Sequence, residues 1–144
     1  MFQHILLPTD GSDAAMRAVT SGVELAARLG AQVTVMTVFE HFPAGIMASG
    51  YRPADEPEEV PGLQIAQDRL ALAEEVARRA GVSHHRVLVR DQPVYRAILE
   101  VAQTVGADLI VMGTHGMGLM ERIFIGSQTQ RVLAHTRIPV LTLH

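Results

Sequence analysis

The C-terminal half of the chain contains the stretch Leu109-Ile110-Val111-Met112-Gly113-Thr114-His115-Gly116, an apolar run that passes directly into glycines. A short unbroken run of Leu, Ile and Val is typical of a strand that is buried on both faces, as in a parallel sheet covered by helices. The glycines after it leave backbone N–H groups uncovered, so the loop can fold these donors around an anion. The stretch therefore predicts a parallel α/β sheet with an anion-binding loop at the carboxyl end of one strand.

Four other apolar runs are similar to this one and alternate with segments of helical periodicity. The five predicted strands are residues 3–7, 32–38, 86–89, 109–112 and 140–143. Strands that alternate with helices indicate βα units, and right-handed crossovers then favour the strand order 3-2-1-4-5. We predict one α/β domain over residues 1–144, a Rossmann-like five-stranded parallel sheet flanked by helices.

Apolar residues at steps of three and four predict four helices between these strands. The first three are suggested by apolar residues between Ala15 and Leu29, between Leu63 and Ala77 and between Ala97 and Val105, and their stops are Gly30, Gly81 and Gly106. Glycine is favoured there because it adopts the left-handed conformation of a C-cap without strain. The fourth helix begins near Ser127 and is predicted to carry Val132 and Leu133 inward.

The composition excludes several classes of site. The chain has no cysteine, which rules out disulfides, thiolate nucleophiles and cysteine-ligated metals. All twelve basic residues are arginine, so Walker A and Schiff-base lysines are excluded as well. The net charge of −3 with scattered arginines argues against a nucleic-acid partner. No apolar run reaches the roughly 18 to 20 residues of a membrane span, and residues 1–7 resemble a strand more than a signal peptide, so we expect a cytoplasmic protein.

The segment from Phe39 to Gly62 interrupts the alternation. It is rich in proline and glycine, and it carries an acidic cluster of Asp55, Glu56, Glu58 and Glu59. Loops of this length in compact domains are usually binding loops, lids or disordered segments. The sequence leaves open whether this loop is a lid or a flexible excursion.

Two loops have unusual sequences, and the predicted strand order makes them neighbours. The first is Pro8-Thr9-Asp10-Gly11-Ser12, and the second starts at Gly113 and continues to Gly126-Ser127-Gln128-Thr129. Ligands of open α/β sheets bind where the strand order reverses, between strands 1 and 4. The free N–H groups and the positive dipole end of the helix that starts at Ser127 favour a phosphate there. The alternative is that the glycines only turn the chain and that Ser127 only caps the helix.

The spaced pattern Gly113-x2-Gly116-x9-Gly126-Ser127 is similar to the G-x2-G-x9-G-(S/T) signature of the ATP-binding branch of the universal stress protein family. Residues 6–12 resemble the first strand and acidic turn of that family, and residues 138–142 resemble its closing strand. The resemblance covers nearly the whole chain. It implies an adenine nucleotide alpha hydrolase-like fold that binds ATP across strands 1 and 4.

The resemblance also implies a role for each matching residue. Pro8, Thr9 and Asp10 would line the nucleoside, Val38 would meet the adenine, and Met112 and Gly113 would lie under the ribose. The phosphates would be surrounded by His115, Gly116, Gly126, Ser127, Gln128 and Thr129. Gln128 departs from the family, in which a small apolar residue is more common, and its contact is expected through the backbone N–H.

Without lysine, the phosphate charge must be met by backbone dipoles, hydroxyl groups and a divalent cation. We therefore expect Mg²⁺ or Mn²⁺ with the phosphates, with Asp10 as a possible ligand. Arg122 could contribute its charge or could be an ordinary surface residue. No catalytic residue is predicted, because His115 has no carboxylate that is predictably placed to orient it.

Three functions remain open on the sequence. The first is a homodimeric binding module that signals stress through its ATP-bound state, with the apolar edge strand 140–143 as the dimer contact. The second is a slow ATPase or nucleotide hydrolase of the same fold. The third is a partner-binding dimer with a vestigial nucleotide site, which would use the loop 39–62 as its contact surface. Neither the protein partner nor the stress is encoded in a pattern that we recognise.

Overall fold

The sheet has five parallel strands in the order β3-β2-β1-β4-β5, as predicted. The computed structural model describes residues 1–39, 62–90, 92–114 and 126–144. The strands are β1 His4–Pro8, β2 Gln32–Phe39, β3 His84–Arg90, β4 Leu109–Gly113 and β5 Val140–Leu143. The strand order reverses between β1 and β4, which are hydrogen-bonded neighbours at the centre of the sheet.

Four helices connect the strands: α1 Asp13–Leu29, α2 Leu63–Arg79, α3 Val94–Val105 and α4 Ser127–His135. Gly30 and Gly106 are the C-caps of α1 and α3, with φ of 65° and 69°, which confirms the predicted ends. The C-cap of α2 is Ala80, and Gly81 follows it with φ of 67°. None of the helices in the described ranges is long and apolar enough to cross a membrane.

The core consists of two layers, one on each face of the sheet. On one face, α1 and α2 pack against residues such as Ile5, Leu7 and Val111. On the other face, α3 and α4 pack against the alternate strand residues, including Leu6 and Ile110. Burial on both faces explains why the strands appear in the sequence as continuous apolar runs.

Two predictions of the sequence analysis are wrong. Strand β3 begins at His84, two residues before the predicted start, because His84 and His85 pair with Val33 and Thr34. β3 is an edge strand whose side chains are only partly buried, so its polar beginning gave no apolar signal. In α4, Val132 is buried but Leu133 is 42% exposed. Successive helical residues point about 100° apart, so the narrow buried face of α4 accommodates only one of them.

Helix α1 packs closely on the centre of the sheet at Gly22. A β-carbon at this position would overlap Cδ2 of the fully buried Leu7. It would also lie 3.5 Å from Cβ of Val111, which is an ordinary contact. Gly22 therefore allows α1 to approach the sheet more closely than any other residue would.

The amino end of β1 carries a buried polar group, His4. Its Nε2 lies 2.8 Å from Oγ1 of Thr34, and its backbone N–H donates to Oδ1 of Asp108 at 3.0 Å. Burial lowers the pKa of His4 below its usual value. Burial alone would raise the pKa of Asp108, but the backbone N–H donors of Gln3 and His4 hold it below its usual value. This group lies at the amino ends of the strands, whereas the βα loops meet at their carboxyl ends.

Candidate functional site

Thr9 fixes the turn that follows β1. Its N–H donates to the carbonyl of Met36 at 2.8 Å, and its own carbonyl accepts from the hydroxyl of Thr37 at 2.7 Å. The buried hydroxyl of Thr9 accepts from the N–H of Gly11 at 3.1 Å. Because β2 holds both backbone groups of Thr9, the next residue, Asp10, starts from a fixed position at the carboxyl edge of the sheet.

Asp10 occupies the first position of a polar turn. One carboxylate oxygen, Oδ1, accepts from the N–H of Ser12 at 2.9 Å. The hydroxyl of Ser12 in turn accepts from the N–H of Ala15 at 3.2 Å and caps helix α1. A carboxylate that uses one oxygen for the turn keeps acceptor capacity on the other for a ligand.

Gly113, the last residue of β4, is in contact with the start of α1. A β-carbon there would lie 2.8 Å from the carbonyl oxygen of Ala14 and 2.9 Å from its carbonyl carbon. These are backbone atoms, which cannot rotate away as a flexible side chain can. Gly113 is therefore required for the close approach of the β1–α1 turn to the end of β4.

Helix α4 is attached to the end of β4 by two hydrogen bonds. The hydroxyl of Thr129, which is buried, donates to the carbonyl of Gly113 at 3.0 Å, and the N–H of Gly126 donates to the carbonyl of Thr114. Gly126 is the N-cap, and the N–H of Gln130 makes the first bond back to its carbonyl. The N–H groups of residues 127–129 are the remaining donors of the first turn, which in any α-helix have no partner within the helix.

The side chain of Gln128 connects α4 to α3. Its Oε1 accepts from the N–H of Tyr95 at 3.1 Å. The N-cap of α3 is Pro93, which provides no side-chain hydrogen bond to this helix. The amide of Gln128 thus supplies the missing cap from the neighbouring helix.

Three apolar side chains line the carboxyl edge of the sheet on the face covered by α3 and α4. Met112 belongs to the core of this face, and Val38 packs against that core. Pro8 lies two residues after Leu6, which is in the same core, and therefore points to the same face. These residues, at the carboxyl ends of the neighbouring strands β2, β1 and β4, are referred to as the apolar floor of the candidate site.

The comparison with known proteins identifies the family. The sequence pattern of the Universal stress protein family matches residues 1–144. The chain belongs to this family. A universal stress protein of Thermus aquaticus is 36% identical, and the alignment covers 98% of each chain. One from Methanocaldococcus jannaschii is 32% identical over 99% of this chain and 82% of the relative.

A solved structure of a universal stress protein in complex with cAMP has the same fold. It superimposes with a TM-score of 0.74 at 26% sequence identity, over 99% of this chain and 97% of that chain. The agreement confirms the predicted family and the predicted α/β architecture.

In this universal stress protein, most of the predicted site residues meet at one edge of the sheet. Those that the structure brings together are Pro8, Thr9, Asp10, Val38, Met112, Gly113, Gly126, Ser127, Gln128 and Thr129. His115, Gly116 and Arg122 lie outside the described residues, as does the acidic part of the 39–62 loop. The hydroxyl of Thr129 is used on Gly113, so a ligand would meet its backbone N–H and not its side chain.

The carboxyl ends of the strands offer few ligands for a cation in this family member. Within the described ranges, no three His, Asp or Glu side chains come together as a ready set of metal ligands. The single carboxylate of Asp10 is compatible with the usual Mg²⁺ arrangement, in which one or two carboxylates share the ion with phosphate oxygens and water. A cation would therefore be held between this carboxylate and the phosphates of a bound ligand.

Two contacts of the site in this universal stress protein gave no signal in the sequence. The link between Gln128 and Tyr95 joins residues 33 positions apart. The side chain of Arg69 on α2 lies over Gly11, with Cγ 2.8 Å from the place of a β-carbon on this glycine, whose φ is 79°. Neither contact follows from a local motif, because each depends on how two helices pack.

Proposed function

We propose that this universal stress protein binds an adenine nucleotide, with ATP as the ligand, at the carboxyl edge of β1, β2 and β4. The observation that carries the proposal is the position of the first turn of α4. This turn follows Gly126, whose N–H donates to the carbonyl of Thr114 directly after β4, and β4 pairs with β1, the strand that leads to Asp10. The carboxyl end of the sheet therefore carries N–H donors suited to a phosphate, the apolar floor of Pro8, Val38 and Met112 suited to a flat base, and the carboxylate of Asp10 suited to a sugar.

The nucleoside would lie across the ends of the central strands. Pro8 and Val38 offer apolar contact to the adenine, and Met112 with Gly113 supports the ribose. Asp10 accepts hydrogen bonds from the ribose hydroxyls or holds a phosphate-bound cation. The backbone of Ala14 fills the place of a Gly113 side chain, so the ribose would meet the main chain of Gly113 from another side.

The phosphates would be bound by the first turn of α4. The N–H groups of Ser127, Gln128 and Thr129 and the positive end of the helix dipole favour a dianion. His115 and Gly116 complete the phosphate environment in this proposal. Because the chain has no lysine, Mg²⁺ or Mn²⁺ supplies the remaining positive charge.

The relative solved with cAMP supports the choice of adenine nucleotides. That protein is a universal stress protein with an adenine nucleotide bound, at 26% identity to this chain. We carry over only the ligand class, and we propose ATP because the pattern Gly113-x2-Gly116-x9-Gly126-Ser127 resembles the signature of the ATP-binding branch.

A substitution that removes the charge of Asp10 but keeps its shape tests the site. Asp10→Asn keeps an oxygen that can accept from the N–H of Ser12, so the turn and the cap of α1 should persist. The lost carboxylate should weaken Mg·ATP binding about 10- to 100-fold, which is the value of a charge-assisted hydrogen bond. The measurement is isothermal calorimetry with ATP in the presence and absence of Mg²⁺.

Asp13→Asn is the matched control, because Asp13 is an exposed aspartate in the first turn of the same helix. Its ATP affinity should equal that of the wild type. Wild-type protein that gives no binding heat with ATP, ADP, AMP or cAMP would overturn the proposal. If both variants lost the same ATP affinity, the cause would be the net charge of the protein and not a contact of Asp10.

We further propose that the protein acts as a cytoplasmic homodimer in stress signalling and holds ATP more than it hydrolyses it. β5 is at the edge of the sheet and pairs only with β4 among the described strands. Its Leu141 is 39% exposed, which leaves an apolar edge for a second copy. Leu141→Glu should shift the sedimentation coefficient from dimer to monomer, whereas Leu72→Glu, at an exposed leucine of α2, should not. Wild-type protein that sediments as a monomer refutes the dimer.

A further inference from the structure

Gln128 has two roles in the structure, one through its backbone and one through its side chain. Its backbone N–H is one of the first-turn donors of α4, and its side chain accepts from the N–H of Tyr95 in α3. A residue without a side-chain acceptor at position 128 could not make this link to α3.

The link satisfies a real need of α3. The first turn of any α-helix has N–H groups without helical partners, and these are normally capped by Ser, Thr, Asp or Asn at the N-cap. Pro93 holds that position here and provides no side-chain cap. The orientation of the amide is fixed by chemistry, because only its oxygen can accept from the N–H of Tyr95.

Two further residues of α4 contact the side chain of Tyr95. The ring of Tyr95 lies 5.4 Å from the ring of His135, and the guanidinium of Arg131 lies 5.7 Å from the Tyr95 centroid. Gln128, Arg131 and His135 are spaced three and four residues apart, so they form one stripe along α4. Tyr95 is thus attached to α4 at both its backbone and its ring.

We propose that Gln128 is a positioning residue for phosphate: by holding the N-terminus of α3, it sets where the first-turn donors of α4 stand at the edge of the sheet. The inference rests on the proposed function, since it concerns the same nucleotide site. The link to Tyr95 fixes the spacing of the two helix ends before a ligand arrives. Donors that are already in place bind a ligand with less loss of entropy than donors that must be ordered.

Four variants test this role. Gln128→Met keeps the length of the side chain but has no strong acceptor, and Gln128→Asn keeps the amide but is too short for the same reach. Gln128→Glu keeps an acceptor for Tyr95 but brings a negative charge to the phosphate site. Gln130→Met is the matched control, because Gln130 is an exposed glutamine of the same helix and makes no side-chain hydrogen bond to a described residue.

The first readout is hydrogen exchange of the Tyr95 amide in the protein without ligand. Loss of one hydrogen bond should speed this exchange about fivefold in Gln128→Met and Gln128→Asn. Gln128→Glu should protect the amide at least as well as the wild type, because the acceptor is then charged. Gln130→Met should leave the exchange unchanged.

The second readout compares AMP with adenosine, which differ only in the phosphate. Gln128→Met and Gln128→Asn should weaken AMP about fivefold and change adenosine less than about twofold. Gln128→Glu should weaken AMP at low salt and recover part of the loss at high salt, because salt screens the repulsion. These results would support a positioning role towards phosphate.

Other outcomes overturn the inference. Equal losses for AMP and adenosine would show a merely structural role, and unchanged Tyr95 exchange would show that the link is absent in solution. Wild-type protein that binds AMP no better than Gln128→Met does refutes the inference and leaves the proposed function intact. Wild-type protein that binds ATP but neither AMP nor adenosine overturns this inference alone, and wild-type protein that binds none of ATP, ADP, AMP and cAMP overturns the proposed function and this inference with it.

Discussion

The close approach of α1 to the sheet at Gly22 can be tested by substitution. A β-carbon on Gly22 would overlap Cδ2 of Leu7, whereas its contacts to Cδ1 of Leu7 and Cβ of Val111, at 3.6 and 3.5 Å, are ordinary. The conflict therefore involves one methyl group of one fully buried side chain. We predict that Gly22→Ala is destabilising in the wild type and stabilising when that methyl group is removed by Leu7→Val.

The magnitudes follow from two opposing terms. Alanine is favoured over glycine inside a helix by about 1 kcal/mol. Overpacking a filled core costs about 1 to 3 kcal/mol, so Gly22→Ala alone should lower the free energy of unfolding by up to about 2 kcal/mol. Leu7→Val alone should cost about 1 kcal/mol, as the loss of one buried methylene usually does.

In the double variant the new methyl group occupies the vacated space. The helix then keeps the gain of about 1 kcal/mol from alanine, and the interaction energy of the two changes should be about 1 to 3 kcal/mol in favour of the pair. Urea unfolding of the four proteins gives this energy, provided that the m values agree.

The exposed Ser21→Ala, next to Gly22 on α1, is the control and should be additive with Leu7→Val. Additivity of Gly22→Ala and Leu7→Val within about 0.5 kcal/mol would refute the steric reasoning. Gly22 would then be at this position for some reason other than close packing.

Three more predictions concern the site and the opposite edge of the sheet. Gly113→Ala should destabilise the protein by about 1 to 3 kcal/mol and lower Tm by about 2 to 4 °C for each kcal/mol, because the new carbon meets the backbone of Ala14; an unchanged Tm contradicts this. Thr129→Val should cost about 1 to 3 kcal/mol in urea unfolding, since it leaves the carbonyl of Gly113 without its donor, and Thr129→Ser should retain most of the stability. The lowered pKa of His4 means that the unfolded chain binds a proton more readily than the folded one, so stability should fall as the pH drops below about 6.5. His4→Gln should flatten this part of the profile, and an equally steep profile in the variant would exclude His4 as its cause.

The fold could be predicted because its signals are local and repeated. Each buried strand is an apolar run, and Gly30 and Gly106 mark helix ends through their left-handed backbone. Strand order followed from the handedness of crossovers and not from any single residue. The prediction failed at His84 and Leu133, where an edge strand and a narrow helix face bury too little to leave a periodic pattern.

The candidate site was predictable to the extent that it consists of motifs. Residues 8–10, Gly113 and residues 126–129 lie at one edge because the loops after β1 and β4 are neighbours in the predicted strand order. The contribution of a side chain to a distant helix was not predictable. The link from Gln128 to Tyr95 depends on the distance between two helices, and the contact of Gly113 with Ala14 on that between a strand and a helix; no local pattern records either distance.

The two hydrogen bonds that attach α4 to β4 have a consequence for anyone who wishes to redesign the protein. They hold main-chain N–H groups at the proposed phosphate position, so side-chain replacements at Ser127 should leave it able to bind an anion. In the proposed site the base would instead meet the side chains of Pro8 and Val38 at strand ends, where new shapes can be introduced. If the proposal holds, the base preference could be changed by substitutions at these two positions while the main-chain contacts to the phosphate are kept.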